Sequence, residues 1–417
     1  MHQWISNQKL YTYDFNWAEQ ARLSLLESLS DIPGPSRLDE SWRFGSPKNY
    51  SLEGFTLASG ADDDHIMKLA KEKQAMQGDK VLRVICANGE FHYNDEGAKD
   101  LVICSTAQFC ETYPELAKKY FPKAIPTIGS DQLATLASAI HPFGVVIWAK
   151  KDVSAHIEIQ HFLNGDHIVC FPYTLVIAEK NSSLHILEQH IGSSSDVSQM
   201  CVGIQQVQAS GGASVHIALV QNLSDDSRAV ELAHLSATEY SLIEHFTTHK
   251  GTKWTRQETI ASTDAEEANI RLYSANRLTN HQQLEQRTYQ HHTHRGTASN
   301  LYYANVLNDH AAAVFSGMIR IDEGAHDSNA YQSNKNLLLS PNAVAHSLPG
   351  LEILADRVQC SHGTATSSIS PEEVFYLSSR GIPEVTAKTM ISDGVLQNVI
   401  EQFDSTPLKE ALTSIIL

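Results

Sequence analysis

The fold is decided by a series of short runs that reads SVHIALVQ (214–221), SLIEHF (241–246), NIRLYSA (269–275), NLYYANVL (300–307) and AVFSGMIRI (313–321). Apolar and polar residues alternate in these runs, and small polar turns such as ASGGA (209–213) and HRGTAS (294–299) separate them. Short alternating runs with frequent turns predict strands packed in an all-β sandwich, propeller or β-helix. The spacing between the runs is irregular, so the pattern by itself assigns no solenoid period.

The strand pattern covers residues 143–369, and different patterns flank it. Residues 1–142 combine helical patterns, the clearest near 16–29 and 133–140, with the run VLRVICANGEFHYN (81–94). The Asn88-Gly89 pair in that run is typical of a β-hairpin turn. We therefore predict a mainly β protein with an N-terminal mixed α/β unit (1–142), a β core (143–369) and a C-terminal helical unit (370–417).

The C-terminal unit has clear helix boundaries. Ser370 is suited to cap a helix, Pro371 is suited to its first turn, and Gly381 is suited to end it. Further helices are predicted over 383–391 and 395–403, before the apolar segment LKEALTSIIL. Their surplus of apolar residues predicts a surface that binds another protein.

Composition excludes several kinds of partner. The 417 residues include 31 Lys and Arg against 48 Asp and Glu, which gives a formal net charge of −17. Nucleic-acid duplexes and anionic membranes attract clustered Lys and Arg, so neither is expected as a partner. The sequence shows no signal-peptide pattern and no apolar segment long enough to span a bilayer, so we expect a cytoplasmic protein.

Motifs of several enzyme classes are missing from the sequence, including GxxxxGK[ST], HExxH and GxSxG. Without the first of these, the chain is not expected to bind ATP by itself. Four cysteines lie in apolar, strand-like runs and are predicted to be small buried residues: Cys86, Cys104, Cys170 and Cys201.

The strongest local feature is the sequence Cys360-Ser361-His362. Residues i and i+2 of a strand share a face, so a thiolate and an imidazole could bind one metal ion or cluster here. Two ligands do not complete a site, and the others would come from elsewhere in the chain or from another chain. His292 and His294 form a second candidate metal pair, again without a third ligand. For both pairs, the alternative is a structural role without metal binding.

Ordered motifs fill residues 292–394, notably VFSGMI (314–319), NLLLS (336–340), LEILAD (351–356), VQCSHGTAT (358–366) and FYLSSRGI (375–382). Together they resemble the SufB/SufD family of iron–sulfur cluster assembly proteins, with a weaker match at SWRF (41–44). SufB-type members usually carry Glu directly after the histidine, whereas this chain has Gly363 and is more similar to SufD-type members. Gly350 and Arg357 depart from the family pattern, which puts the charge around the motif in doubt.

This resemblance implies a right-handed parallel β-helix core with N-terminal α/β (helical) and C-terminal helical units. It implies a scaffold subunit and not an enzyme, which pairs with SufB and couples to the ATPase SufC in cluster assembly, with a role in iron acquisition. His362 and Cys360 would lie at the SufB interface and share a transient iron or iron–sulfur cluster. No intrinsic cofactor is expected, and ATP would act only through SufC. The residues implied in SufC docking are Phe375, Tyr376, Arg380 and Gly381.

Three alternatives stay open at this point. The chain could form a homodimer when SufB is absent. An all-β core also suits a carbohydrate-active β-helix enzyme, although such enzymes usually carry a secretion signal and clustered Asp, Arg or Lys. A metal-dependent hydrolase could be built on His292 and His294, but sequence spacing supplies no third ligand.

Overall fold

The computed structural model describes residues 1–78, 80–97, 99–140 and 144–417. The main feature of this part of the chain is a parallel β-helix, in which each coil places one strand in a first sheet and one in a second sheet. The predicted mainly β fold is confirmed, and the β-helix is the one observed among the three all-β architectures that the strand pattern allowed.

The strands of the described residues, in chain order, are β1 (Thr56–Leu57), β2 (Val81–Ala87), β3 (Glu90–Asn94), β4 (Leu101–Ser105), β5 (Val145–Ala149), β6 (Ser154–Leu163), β7 (Ile168–Cys170), β8 (Tyr173–Ala178), β9 (Ser183–Gly192), β10 (Gln199–Ala209), β11 (Ser214–Asn222), β12 (Arg228–Ala237), β13 (Leu242–Lys250), β14 (Trp254–Thr263), β15 (Asn269–Leu278), β16 (Gln283–His292), β17 (Ala298–Leu307), β18 (Ala312–Ile321), β19 (Asn329–Leu338), β20 (Val344–Ile353) and β21 (Gln359–Ser368). The first sheet follows the order β4-β5-β8-β10-β12-β14-β16-β18-β20, and the second follows β3-β2-β6-β9-β11-β13-β15-β17-β19-β21. The short strands β1 and β7 pair beside β10.

Successive coils stack in register, and side chains repeat along the stack. The Asn276 amide donates to the Asn305 side-chain oxygen over 2.9 Å, and the Asn305 amide donates to that of Asn336 over 3.1 Å. From β9 onward the coils of the second sheet repeat every 27 to 31 residues. The repeat is hard to see in the sequence because the turns differ in length from coil to coil.

Alternate residues of each strand point into the lumen, the space between the two sheets. Buried aliphatic side chains fill much of the lumen in the early coils, for example Val84, Ile103 and Ile147. The later coils place polar side chains there, such as those of Asn305 and Asn336, which bond to one another. The lumen is therefore a packed core that contains both apolar and hydrogen-bonded polar side chains.

Helices of the N-terminal region pack outside the two sheets, most of them on the first sheet and one, around Ile66 and Ala70, on the second. They are α1 (His2–Ser6), α2 (Asn16–Ser28), α3 (Asp63–Glu72), α4 (Thr106–Thr112), α5 (Pro114–Ala117) and α6 (Asp131–Ile140). The helices predicted near 16–29 and 133–140 are confirmed by α2 and α6. The hairpin is confirmed as well, because β2 and β3 pair antiparallel and both turn residues have positive φ, 51° at Asn88 and 84° at Gly89.

A buried arginine ties the N-terminal region to the β-helix. Arg256 on β14 donates to Glu258 over 2.6 Å and to Glu285 over 2.9 Å. The same guanidinium donates to the backbone carbonyls of Ser41 and Ile128, each over 2.9 Å. One fully buried cation therefore joins two N-terminal segments to the first sheet.

The domain limits read from the sequence (1–142, 143–369 and 370–417) stay predictions. The first limit, between 142 and 143, falls outside the described residues. Strand β2 precedes that limit, yet it pairs in parallel with β6, with Val81 opposite His156. The N-terminal region thus contributes strands to the sheets as well as helices outside them.

The C-terminal helices are α7 (Pro371–Ser379), α8 (Glu384–Ile400) and α9 (Thr406–Ile416). As predicted, Ser370 caps α7 by accepting a bond from the Glu373 N–H, and Gly381 follows it at φ +88°. The two helices expected over 383–391 and 395–403 are instead the single helix α8. Gly394 lies within it, where a glycine costs about 1 kcal/mol without ending the helix.

Helices α8 and α9 cover the outer face of the second sheet. Phe403, in the turn between them, is buried against the rings of Phe246, Tyr273 and His216. No helix among the described residues combines the length and apolar character needed to cross a lipid bilayer.

The two ends of the β-helix differ. At the N-terminal end the sheets finish in the antiparallel strands β3 and β4, which stop the parallel stacking. At the C-terminal end they finish in β20 and β21, each of which follows the parallel pattern and has a sheet neighbour on one side. Apolar side chains of β20 are partly exposed there, including those of Val344, Leu351 and Ile353.

Candidate functional site

Strand β21 places Cys360 and His362 on the last coil of the β-helix. Cys360 lies in register with Ala330 of β19, and His362 lies in register with Gln332. Ala330 and Gln332 are buried lumen-facing residues, so the two side chains of β21 share the lumen-facing side. His362 is exposed and Cys360 is half-buried, because the stack ends with their coil. The sequence expectation that they share one face agrees with this register.

These two side chains supply two ligand atoms and no more. In the described part of the chain, groups of three or more converging candidate ligands lie elsewhere. Burial raises the pKa of the Cys360 thiol, so the thiol is neutral near pH 7 and would lose its proton on binding a metal. A complete metal or cluster site here would therefore need ligands from outside this group of residues.

A buried polar atom lies directly beneath His362. The Gln332 amide donates to the Gly317 carbonyl over 3.3 Å, while its side-chain oxygen has no hydrogen-bond partner among the described residues. A Cβ at position 317 would collide with that oxygen, so Gly317 gives the amide its space. An unpaired buried acceptor costs free energy.

His292 lies in a different environment. It is the last residue of β16 and is fully buried, with Nδ1 2.8 Å from the Thr297 hydroxyl and Nε2 2.8 Å from the Ser299 hydroxyl. Burial lowers its pKa to about 4. His294 is exposed in the following turn and bonds to Thr293. Both ring nitrogens of His292 are occupied, so this geometry gives no support to a metal-binding role for it.

The predicted docking residues lie on and after α7. Phe375 is 74% exposed and Tyr376 is 58% exposed, and the guanidinium of Arg380 lies 5.4 Å from the centre of the Tyr376 ring. Gly381 follows with its positive φ. Only Val374 of α7 is buried among the residues described for that helix, so α7 presents an exposed aromatic surface.

One cluster was missed in the sequence. His161, Glu188, His190, Cys201 and Glu231 meet inside the lumen of the early coils, all buried. Cys201 is buried as predicted, but its sulfur lies 3.5 Å from His190 Nδ1. The available signal was the pair Glu188 and His190, which follow Leu184 and Ile186 at every second position of one strand and therefore point to the same side.

The electrostatics of this cluster are strongly coupled. Burial disfavours charge on Glu188, but its bonds to His161 and His190 hold the pKa of the carboxyl far below its usual range. Burial also opposes protonation of His190, yet the Glu231 carboxylate raises the pKa of the imidazole well above its ordinary value. In the absence of another cation, a protonated His190 sits between two carboxylates.

Comparison with known proteins agrees with the motifs. A family model described as "SUF system FeS cluster assembly, SufBD core domain" matches residues 161–395. The chain is similar to the iron-sulfur cluster assembly protein SufD of Bacillus subtilis (strain 168), at 25% identity over 96% of this chain and 93% of the relative. It is also similar to an iron-sulfur cluster assembly SufBD family protein of Synechocystis sp., at 23% identity over 94% and 88% of the two chains. A third relative is the chloroplastic protein ABCI7 of Arabidopsis thaliana, at 27% identity over 94% and 84%. The family match covers most of the β-helix, including Cys360 and His362, and the chain therefore belongs to the SufBD core family of the SUF iron–sulfur cluster assembly system.

Proposed function

We propose that this chain is a cytoplasmic scaffold subunit that pairs with SufB through the C-terminal end of the β-helix and couples cluster assembly to the ATPase SufC. Cys360 and His362 contribute ligands for iron or a nascent cluster, and SufB contributes the others. The iron or cluster is cargo that leaves with the product. ATP acts through SufC and not through this chain.

The observation that carries this proposal is the unfinished end of the β-helix. In the part of the chain that the structure describes, strands β20 and β21 leave backbone donors and acceptors without a neighbour on their outer side, beside the exposed apolar residues Leu351 and Ile353. Such an edge favours pairing with another chain. Two candidate ligands at that edge are incomplete alone and become sufficient if the partner adds its own.

The C-terminal helices support the second contact. Helix α7 exposes Phe375 and Tyr376, and α8 exposes Val385 and Met390. Exposed aromatic side chains on a surface helix are typical anchors of a protein interface. Because only two residues separate the end of β21 from the start of α7, a protein bound to α7 is connected directly to the strand that carries His362.

The ligand role is tested by His362→Ala in a complex co-expressed with SufB and SufC. We expect all three subunits to co-purify, and we expect the iron and sulfide content to fall at least about tenfold. The matched control is His310→Ala, which also removes an exposed histidine but lies in a turn away from β21. Full iron and sulfide content in the His362 variant would refute the ligand role.

The SufC contact is tested by Phe375→Glu and Tyr376→Glu. Point variants suit this test better than a deletion from residue 370, which would also uncover Phe246 and Leu187 under α8 and α9. We expect SufC to be lost from the purified complex while SufB is retained. A glutamate at the exposed position Leu38 of the N-terminal region serves as control, and it should retain SufC. Retention of SufC by both α7 variants would contradict the docking role.

A homodimer is the alternative assembly of the same face. Sedimentation of the purified chain with and without SufB distinguishes the two. We expect SufB to convert any homodimer to a heterodimer, because both assemblies would use β20 and β21. A homodimer that persists alongside bound SufB would show that SufB binds elsewhere.

A further inference from the structure

The lumen cluster consists of His161, Glu188, His190, Cys201 and Glu231. Its residues come from several coils near the closed, N-terminal end of the β-helix. His161 lies on β6, Glu188 and His190 on β9, and Glu231 on β12. In the pairing of β6 with β9, His161 lies directly opposite His190. Strand β10 lies next to β12, with Gly203 opposite Glu231. The strands fix the backbone, so the cluster is built into the fold.

We propose that His161, Glu188 and His190 bind one divalent transition-metal ion, zinc(II) or iron(II), inside the lumen. Glu188 Oε1 lies 3.4 Å from His161 Nε2 and 3.1 Å from His190 Nε2. Ligand atoms about 2.0–2.2 Å from a tetrahedral ion lie about 3.3–3.6 Å from one another. Small side-chain shifts are enough to admit the ion. Two imidazoles with one carboxylate suit both metals.

The surrounding groups orient these ligands. Glu231 Oε1 lies 3.0 Å from His190 Nδ1 and can accept a hydrogen bond from its N–H, which leaves Nε2, on the side of Glu188, as the ligand atom. A carboxylate on the far nitrogen is a regular companion of metal-bound histidine. Thr174 donates to Glu188 Oε1 over 2.9 Å, and Gln205 donates to Oε2 over 2.7 Å. The carboxylate is thus held in place without a metal.

Charge also favours a divalent ion. Glu188 and Glu231 are both buried, and in the described part of the chain their ion-pair partners are histidines, with no lysine or arginine among them. Buried carboxylates are costly unless opposite charge compensates them. A single protonated imidazole offsets one of the two charges, whereas a divalent cation offsets both.

Gly203 leaves the space that the arrangement needs. A Cβ at this position would collide with the Glu231 carboxylate and the His190 ring. Cys201 lies on the Nδ1 side of His190, near Glu231, and not on the Nε2 side that faces Glu188. The proposed ion therefore has nitrogen and oxygen ligands and no sulfur ligand.

The metal content of the full chain tests this site. The parent protein carries Cys360→Ser and His362→Ala, which remove the other candidate ligands. Because the proposed ligands are buried, the protein is expressed in separate media that contain zinc, iron or cobalt, and metal is measured by mass spectrometry after gel filtration with chelator. We expect one ion per chain from the zinc or the iron culture, and the two cultures identify which metal is retained.

Ligand variants locate the ion. His161→Asn and His190→Gln should each lower the retained metal at least about tenfold. The control is His249→Gln, which replaces another buried lumen histidine, one that bonds to Gln257. It should retain the metal. A parent without metal, or folded ligand variants that keep it, would overturn the proposal.

A cobalt spectrum decides the question if the ligand variants fail to fold. Cobalt in the parent should give the visible bands of a tetrahedral ion without a thiolate charge-transfer band. A thiolate band that Cys201→Ser removes would place the ion at Cys201 and Glu231 and overturn the assignment to Glu188. This site lies apart from the SufB and SufC contacts, so its test is independent of the proposed function.

Discussion

The two ends of the β-helix differ in how the stack of coils is terminated. A stack of parallel coils leaves a lumen and two strand edges uncovered at each end. At the N-terminal end, antiparallel strands stop the stack, and lumen side chains such as Ile147 are fully buried. At the C-terminal end none of the described residues covers the last coil, and Ile353 is 41% exposed.

The two ends differ in whether their residues mainly stabilise the fold or are available for binding. Closed coils contribute buried apolar area, so changes there should alter folding. The open coil contributes little buried area and carries the candidate ligands, so changes there should alter association. Substitutions matched between the two ends test this contrast.

The largest expected effect comes from a matched isoleucine pair. Ile147→Ala at the closed end should lower the free energy of unfolding by about 2–5 kcal/mol, because it leaves a cavity in a packed lumen. Ile353→Ala at the open end should lower it by less than about 1 kcal/mol. Urea denaturation followed by circular dichroism measures both. Equal losses at the two ends would break the comparison.

Acid should destabilise the closed coils. Burial lowers the pKa of His245 to about 4, against about 6.5 in an unfolded chain. Between these values the unfolded state binds more protons, so stability falls as pH drops from about 6.5 to 4 and is fully present above that window. The contribution of this one residue is about 3 kcal/mol.

The free energy of unfolding, measured from pH 7 to 4, checks this. We expect His245→Gln to reduce the slope of that free energy against pH. The control His310→Gln replaces an exposed histidine and should leave the slope unchanged. If His245→Gln follows the parent protein across this range, the lumen histidine is not a source of acid sensitivity.

A charge at the open edge should affect association and not folding. Leu351→Lys and Ile353→Lys place ammonium groups on partly exposed positions of β20, where a partner strand would have to desolvate them. We expect binding to SufB to weaken at least about tenfold, which is about 1.4 kcal/mol. Titration calorimetry measures it, and unchanged affinity would remove this edge from the interface.

The smallest effect is expected for His362 itself. His362→Ala should change the unfolding free energy by less than about 0.5 kcal/mol, because the side chain is exposed and lies on the last strand. A loss of several kcal/mol would indicate a structural role and would weaken the case for cargo binding.

Local chemistry explains which features could be predicted. The Asn88-Gly89 turn and the Ser370 cap each depend on a few adjacent residues, so the sequence contained all the information needed. The shared face of Cys360 and His362 follows from the strand period alone. Coil stacking is different, because the unequal turns hide its repeat.

The lumen cluster could not be predicted for the same reason. Glu231 lies 41 residues from His190 in the chain, and their contact exists only because β10 and β12 are stacked beside the coil of β9. Helix α8 also differs from the prediction, which placed two helices over 383–391 and 395–403 with Gly394 between them. Packing of α8 on β15 and β17 stabilises the helix through that position.

The short link between β21 and α7 gives the molecule a mechanical property. A force applied to α7 is transmitted to both α8 and β21. Helix α8 is anchored to the middle coils by the Arg277–Asp393 ion pair. Strand β21 is held by backbone hydrogen bonds to β19. If the pull runs along the strand, all the β19–β21 bonds carry the load together and resist it. If it runs across the strand, they yield one at a time, so the direction of force on one helix decides whether the last coil holds or peels away.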